Sequence, residues 1–291
     1  MRRQRRADMM LVMVTFFWGA SYYLTDLCSQ DLSPMTLTAF RFGVAFVLLS
    51  AVFFRRLRKM SRLTLRYSLL VGLALTGTYV FYAYGVTRTS LSNAAFLCAM
   101  SAVITPLLDL LLHKRRPGVR LTVSLALCVI GAALLCLNED LRPRSGDLLC
   151  LCVPFCYSAD LLLTEKAVKV QRADPLALGV MQLGVVGALT LIAAFVLERP
   201  HLPTTPAIWG GALFLSVFCS GFAFVVQSVE QQYTTASHVG LIFTLEPVFA
   251  AVVAYLLAHE TLRPRGYAGA ALMLLSLVLL ELGPEDGRDG K

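Results

Sequence analysis

The sequence predicts an all-α integral membrane protein with ten transmembrane helices, arranged as two inverted-topology five-helix repeats. Of its 291 residues, 57% are apolar and only 15% are charged, whereas about a quarter of the residues of a soluble domain are charged. Ten apolar stretches reach about 20 residues, the length that crosses roughly 30 Å of hydrocarbon. An internal repeat divides these stretches into two sets of five.

Short connections separate the ten predicted spans. The connections carry Pro, Gly and charged residues, as in residues 138–147 and 198–206, a composition typical of loops. None of them is long enough to form a soluble domain. The predicted spans are residues 9–28, 34–54, 66–86, 90–113, 119–137, 147–166, 175–196, 207–228, 236–257 and 264–282.

The internal repeat has an offset of 141 residues. Pro34 and Pro175 open similar apolar runs, and Pro106 and Pro247 interrupt later spans at the same offset. Because five is an odd number, the second repeat must enter the membrane from the opposite side. Transporters built from inverted repeats often bind their substrate between them. The predicted repeats are residues 1–140 and 141–291.

The positions of Lys and Arg predict the orientation in the membrane, because short cytoplasmic loops retain these residues. Most of the 26 Lys and Arg residues lie in segments that alternate with the spans, namely residues 2–6, 55–66, 114–120, 166–172 and 288–291. This pattern predicts a multi-pass protein of the plasma (cytoplasmic) membrane with both termini in the cytoplasm. It also explains the net charge of +8, so we expect no nucleic-acid partner.

Ionisable residues inside apolar spans are the first functional candidates, because each costs a few kcal/mol in hydrocarbon. Glu246 lies in the ninth predicted span, directly before Pro247, which removes a backbone donor and loosens the helix. Its carboxylate could bind a proton, a cation or a substrate ammonium, or it could pair structurally with another helix. Asp160, in the sixth span, is the second candidate for ion coupling. Its structural alternative is an ion pair with Lys166 or Lys169.

Other polar and aromatic side chains within the spans are candidates for substrate binding. Arg41 could hold a substrate carboxylate with two parallel hydrogen bonds, or it could extend to the nearer interface as an anchor. Aromatic pairs one helical turn apart could wall a cavity and stack on an organic cation, although such pairs also pack in ordinary cores. The other predicted substrate-binding residues are Trp18, Tyr22, Tyr79, Tyr82, Asn93, Gln182 and Gln227.

Several short motifs resemble one family of transporters in their order, spacing and duplication. They are Trp18-Gly-Ala-Ser, Pro34 followed by Arg41-Phe42, Ser92-Asn-Ala-Ala-Phe followed by Pro106, Leu245-Glu246-Pro247, and Gly269-Ala-Ala-Leu, which repeats Gly131-Ala-Ala-Leu. Together they resemble the EamA-type branch of the drug/metabolite transporter superfamily. The resemblance implies ten helices in two inverted repeats, a cytoplasmic membrane that is usually bacterial, and export of amino acids or other small metabolites. It does not fix the substrate.

The function predicted from these features is secondary active transport by alternating access, with export of a small polar metabolite such as an amino acid. Protons are the candidate coupling ion. The alternatives are a passive channel or facilitator and an integral-membrane enzyme, and we expect no enzyme because the four histidines show no repeated partner pattern. We expect no cofactor or metal, since the intramembrane cysteines lack ligand spacing and behave as small apolar residues. The oligomeric state has no sequence signal.

Overall fold

The computed structural model describes residues 2–86, 88–89, 97–113, 118–136, 145–258 and 264–281. Within these ranges every regular element is a helix. The helices of the first half are α1 (Arg2–Ser29), α2 (Pro34–Val52), α3 (Arg62–Val86), α4 (Ser101–His113) and α5 (Val119–Cys136), with one extra helical turn, Phe54–Leu57, after α2.

The helices of the second half are less regular than those of the first. Two of them contain π-helical segments, and one is broken into two pieces. They are α6 (Ser145–Glu165, continuing as a π-helix over Lys166–Val170), α7 (Pro175–Leu197), α8 (Pro206–Phe214, a π-helix over Leu215–Phe222, and Ala223–Glu230), α9 (Ala236–Phe243 and Glu246–Ala258) and α10 (Pro264–Glu281).

Seven helical segments in the described ranges are long and apolar enough to cross a membrane. They are Arg3–Ser29, Pro34–Val52, Arg62–Gly85, Ser145–Val170, Pro175–Leu197, Pro206–Glu230 and Ala236–Val253. Three apolar helices are shorter, namely Leu97–Leu112, Val119–Leu134 and Pro264–Leu279. The all-helical membrane fold is therefore confirmed, and the count of ten spans remains a prediction.

Helix packing relates the two halves of the chain. Helix α2 packs along α7, and α5 packs along α10. The contact of α1 with α9 corresponds to the contact of α6 with α4. In the same way, the contact of α3 with α6 corresponds to that of α8 with α1. The contact of α3 with α7 corresponds to that of α8 with α2. Shifting every helix by five positions therefore maps each of these contacts onto another one.

The repeated Gly-Ala-Ala-Leu motif lies at one of these crossings, between α5 and α10. A Cβ atom on Gly131 would come within 2.7 Å of the backbone oxygen of Gly269, closer than any ordinary contact. Two helix backbones can approach this closely only where a residue as small as glycine lies at the crossing, which is how small residues act at helix crossings in membranes.

We predict that Gly131→Ala lowers the free energy of unfolding by about 1–3 kcal/mol, because the added methyl group overpacks the crossing. Gly210 is a matched control, since a Cβ atom there would meet nothing within 4 Å. Gly210→Ala should be neutral or stabilising by about 0.5–1 kcal/mol, from helix propensity alone. Thermal unfolding of both variants in one detergent tests the contrast. Equal melting temperatures for the two would contradict a tight crossing.

Two polar contacts hold α2 and α7 together, one at each end of the pair. We call the membrane side on which α1 begins the N-terminal face and the other side the far face. At the N-terminal face, Nε and Nη2 of Arg56 donate to Oδ2 and Oδ1 of Asp174, at 2.6 and 2.9 Å. Asp174 also caps α7 by accepting from the backbone N–H groups of Leu176 and Ala177. This is the near clasp.

The far clasp joins the end of α7 to the start of α2. The Glu198 carboxylate accepts from the hydroxyls of Ser33 and Thr36, at 2.5 and 2.8 Å, and from the backbone N–H groups of Met35 and Thr36, at 3.0 and 2.9 Å. The two clasps occupy corresponding places in the two halves, because Ser33 and Asp174 both immediately precede the proline that opens their helix.

The two clasp carboxyls make the fold sensitive to acid. Partial burial raises the pKa of Glu198, but the bonds from Ser33, Met35 and Thr36 outweigh it and hold the pKa below its ordinary value. Burial likewise raises the pKa of Asp174, and the bonds from Arg56 and the α7 backbone lower it further than burial raises it.

Because the pKa of each clasp carboxyl is lower in the folded than in the unfolded state, its stabilisation is complete above the unfolded value of about 4 and is lost as the pH falls through the folded value. We predict that the melting temperature in detergent falls as the pH is lowered from about 5 to about 3. Glu198→Gln should cost about 1 kcal/mol at pH 7, as expected for a lost helix cap, and should flatten the acid dependence. An acid dependence that is unchanged in this variant would contradict the assignment.

Candidate functional site

The break in α9 places Glu246 at the beginning of a helix inside the protein. The first piece of α9 ends at Phe243 and the second begins at Glu246, as Pro247 predicted. Thr244 bridges the break, since its hydroxyl donates to the carbonyl of Leu241 at 2.6 Å. A helix N-terminus carries partial positive charge, so the break suits a carboxylate at this position. Broken helices of this kind form substrate and ion sites in transporters.

Glu246 lies deep in the helix bundle, yet its surface is only half-buried. Tyr22, Tyr79 and Tyr82 are half-buried as well, and we call the partly accessible region that these four side chains border the cavity. The Tyr22 side chain hydrogen-bonds Glu246, and Arg41 is close enough to attract it electrostatically. One carboxylate and one guanidinium thus face the same region of the bundle.

Arg41 points into the protein and does not extend to the membrane interface. Its side chain is buried, with Nε donating to the Ser220 hydroxyl at 2.8 Å and Nη2 donating to the Cys219 carbonyl at 3.4 Å. Its guanidinium carbon also lies 5.5 Å from the ring centroids of Phe42 and Tyr79. The anchoring alternative is therefore wrong for this residue. Its remaining N–H groups can meet an anion.

Aromatic side chains surround these two charges. Trp18 is nearly fully buried; its indole N–H donates to the Cys219 carbonyl at 2.8 Å, and its ring packs on Phe243 with centroids 4.7 Å apart. Tyr79 packs edge-on against Phe42 at 4.7 Å. Tyr79 and Tyr82 both lie within electrostatic reach of Glu246 and are half-buried. The structure thus brings Tyr22, Tyr79 and Tyr82 to Glu246 and packs Trp18 on Phe243, at the end of the first piece of α9.

Asp160 lies apart from these charges, in a fully buried position on α6. Its Oδ2 accepts from Gln227 Nε2 at 2.9 Å, and its Oδ1 has no hydrogen-bond partner among the described residues. Lys169 pairs with Glu165 at 3.4 Å, and no described lysine or arginine forms an ion pair with Asp160. An ionised carboxylate in such a place is costly, so the position favours a carboxyl that binds a proton.

Gln182, a predicted substrate-binding residue, does not join this group. Gln182 is fully buried and donates to the Phe224 carbonyl and to the Ser228 hydroxyl, at 3.4 and 3.3 Å, so it joins α7 to α8 and does not border the cavity. Asn93 lies outside the described residues.

The cavity is closed toward the N-terminal face. On the side of the cavity toward that face, α1, α3, α6 and α9 each carry a leucine that is almost completely buried, namely Leu11, Leu75, Leu161 and Leu241. On the same helices Tyr22, Tyr79, Tyr82, Tyr157 and Glu246 lie farther toward the far face than these leucines and are half-buried. Helices that run in both directions share this difference, which supports an opening of the cavity toward the far face.

Polar contacts accompany the packing at the closed face. Asp8 of α1 lies with Oδ1 3.1 Å from Nε2 of His238 of α9, without hydrogen-bond alignment, and the contact is an ion pair when His238 is protonated. Nearby, the Glu165 carboxylate accepts from the backbone N–H of Ala236 at 2.8 Å and caps the start of α9. We call the contact between Asp8 and His238 the N-terminal gate, because it joins the two halves where the cavity is closed.

Three residues of the site were missed from the sequence. Tyr157 lies one turn before Asp160 and donates to Gln227 Oε1 at 3.3 Å, and it has no aromatic partner one turn away on α6 that would have marked it as a pair. Cys219 and Ser220 lie in the π-helical part of α8, which no sequence pattern predicted. π-helical segments are frequent at functional sites.

Among the described residues no cluster of His, Cys, Asp or Glu could hold a metal ion.

These features define a polytopic membrane protein with charged and aromatic groups around an internal cavity. Comparison with related proteins identifies its function as transport. A model described as the EamA-like transporter family matches residues 5–137 and again residues 144–282. The chain is a membrane transporter and belongs to the EamA-like transporter family.

Individual proteins resemble this chain over most of its length. A protein of Archaeoglobus fulgidus, named as an uncharacterized transporter, is 25% identical over 95% of this chain and 86% of its own. The uncharacterized transporter YyaM of Bacillus subtilis is 24% identical over 92% of this chain and 91% of its own. A solved structure, described only as "Crystal structure of protein", superposes on this chain with a TM-score of 0.80. The superposition covers 96% of this chain and 97% of the other, at 15% sequence identity. The likeness shows that the two chains share a fold.

Proposed function

We propose that the protein is a proton-linked secondary transporter that exports a small zwitterionic metabolite such as an amino acid. The observation that carries the proposal is the position of the half-buried Glu246 at the break of α9, within electrostatic reach of the buried Arg41. Glu246 receives the substrate ammonium, and the unused N–H groups of Arg41 receive its carboxylate. The aromatic wall of Trp18, Tyr79 and Tyr82 encloses the substrate.

Alternating access gives this site two exits. The family model matches the chain twice, and the contacts of the two halves correspond helix by helix, which supports inverted repeats over residues 1–140 and 141–291. Exchange of conformation between the repeats closes the far face and opens the N-terminal gate. The distribution of Lys and Arg supports a cytoplasmic N-terminal face in a cytoplasmic membrane. Protons enter from the far face and leave into the cytoplasm, while substrate moves outward.

Thermal unfolding of the purified protein against amino acids, polyamines, nucleosides and organic cations tests the substrate class. A ligand that binds the folded state raises the melting temperature by mass action. We expect zwitterionic amino acids to raise it, and analogues that lack either charge to have less effect. Stabilisation by nucleosides or by simple cations alone would overturn the zwitterion assignment.

Transport in liposomes then separates a carrier from a channel. An imposed proton gradient should drive the stabilising amino acid against its own gradient, and collapse of the proton gradient should stop this. Equilibration without accumulation would indicate a passive facilitator.

A further inference from the structure

Tyr157 connects the cavity to Asp160 through one hydrogen-bonded chain. Its hydroxyl donates to Gln227 Oε1 at 3.3 Å, and Gln227 Nε2 donates to Asp160 Oδ2 at 2.9 Å. Asp160 and Gln227 are fully buried, whereas Tyr157 is half-buried. Tyr157 is therefore the member of this chain that a molecule in the cavity can touch.

The direction of the chain decides what kind of group can bind at Tyr157. Gln227 must present its carbonyl to Tyr157 because its NH₂ group points to Asp160, so the Tyr157 hydrogen is committed to Gln227. The phenol oxygen then offers only lone pairs to the cavity. A hydrogen-bond donor such as an ammonium fits there, and a carboxylate does not.

The groups around Tyr157 favour a cationic ligand. The titratable groups that interact with it are Asp160 on its own helix, Tyr79 on α3 and Glu246 on α9. Of the other packed helices, α1 contributes the Trp18 ring, whose centroid is 6.3 Å away, and α8 contributes the neutral amide of Gln227. The described residues place no positive charge against the phenol.

We infer that Tyr157 is a positioning residue that links binding of the substrate ammonium to release of a proton from Asp160. This inference rests on the proposed function. The ammonium that Glu246 receives has further N–H groups, and one that donates to the phenol oxygen polarises the hydroxyl and strengthens its donation to Gln227, because successive hydrogen bonds reinforce one another. Gln227 then donates more strongly to Asp160, which favours the carboxylate, and the carboxyl proton leaves to water. Substrate and proton thus bind alternately, as exchange requires.

Tyr157→Phe tests the link because it removes the hydroxyl and keeps the ring. We expect titration calorimetry in buffers of different ionisation enthalpy to show proton release on amino-acid binding by the wild type, and the loss of most of this release in Tyr157→Phe and Asp160→Asn. The matched control is Tyr255→Phe, since Tyr255 lies on the exposed side of α9; it should release protons as the wild type does. Proton release that persists in Tyr157→Phe would overturn the inference.

Infrared difference spectroscopy gives a second readout that needs no substrate. A pH step should reveal the carboxyl band of Asp160, identified by its loss in Asp160→Asn. Tyr157→Phe should shift the frequency of this band, because the bond that Gln227 makes to the carboxyl changes, and Tyr255→Phe should not. An unshifted band in Tyr157→Phe overturns the link. If the band shifts and no amino acid binds, the coupling of Tyr157 to Asp160 stands and the proposed substrate fails.

Discussion

Glu246→Gln is expected to abolish measurable proton-driven transport while the protein remains folded. The amide keeps the volume of the side chain and can still bond with Tyr22, but it cannot attract an ammonium. A hydrogen bond to a charged group contributes about 1.5–3 kcal/mol, so apparent affinity for an amino acid should fall roughly 10- to 150-fold. Substrate-induced stabilisation in detergent and uptake into liposomes measure the two effects separately.

Two comparisons make the Glu246 result specific. Glu246→Asp keeps the charge on a shorter side chain, so it should retain part of the transport that the glutamine variant loses. Glu230→Gln changes a nearly buried glutamate at the end of α8 toward the N-terminal face, and should leave amino-acid affinity unchanged. A Glu246→Gln protein that binds amino acids with wild-type affinity would assign Glu246 a structural role.

The position of the main carboxylate followed from the sequence because it depends on local chemistry. Proline removes a backbone donor wherever it stands, so Pro247 marked a place where the helix could break next to Glu246, although Pro106 and Pro154 lie inside continuous helices. The prolines of α2 and α7 likewise predict where those helices begin. The repeat offset anticipated the correspondence between the contacts of the two halves, because duplicated sequences form duplicated packing.

Other features of the site depend on the rotation of each helix and could not be predicted in this way. Gln182 and Gln227 are both glutamines within apolar spans, yet one bonds across to α8 and the other bonds to Asp160. The sequence was equally consistent with Arg41 inside the protein and with Arg41 at the membrane interface. The structure decides between them, because Arg41 donates to the Cys219 carbonyl and to the Ser220 hydroxyl. These differences arise from tertiary packing, which a single sequence does not specify.

The two clasps and the N-terminal gate have different roles, although all three join the halves of the chain. A contact that opens and closes during alternating access should be made at only one face in any one conformation. The near clasp and the far clasp are both made in this structure, at opposite faces. We therefore expect the α2–α7 pair to move as one body, and the contact between Asp8 and His238 to break when the cavity opens toward the N-terminal face.

Crosslinking distinguishes these roles at one face of the molecule. Cysteines at positions 8 and 238, joined by a short bifunctional thiol reagent, should stop transport almost completely because α1 and α9 can no longer separate. Cysteines at positions 56 and 174, joined by the same reagent, should leave most of the transport intact. A reducing agent that cleaves the linker should restore activity to the first pair, and each single-cysteine variant controls for simple modification. Transport that continues with positions 8 and 238 crosslinked would show that the substrate does not pass between α1 and α9 at this face.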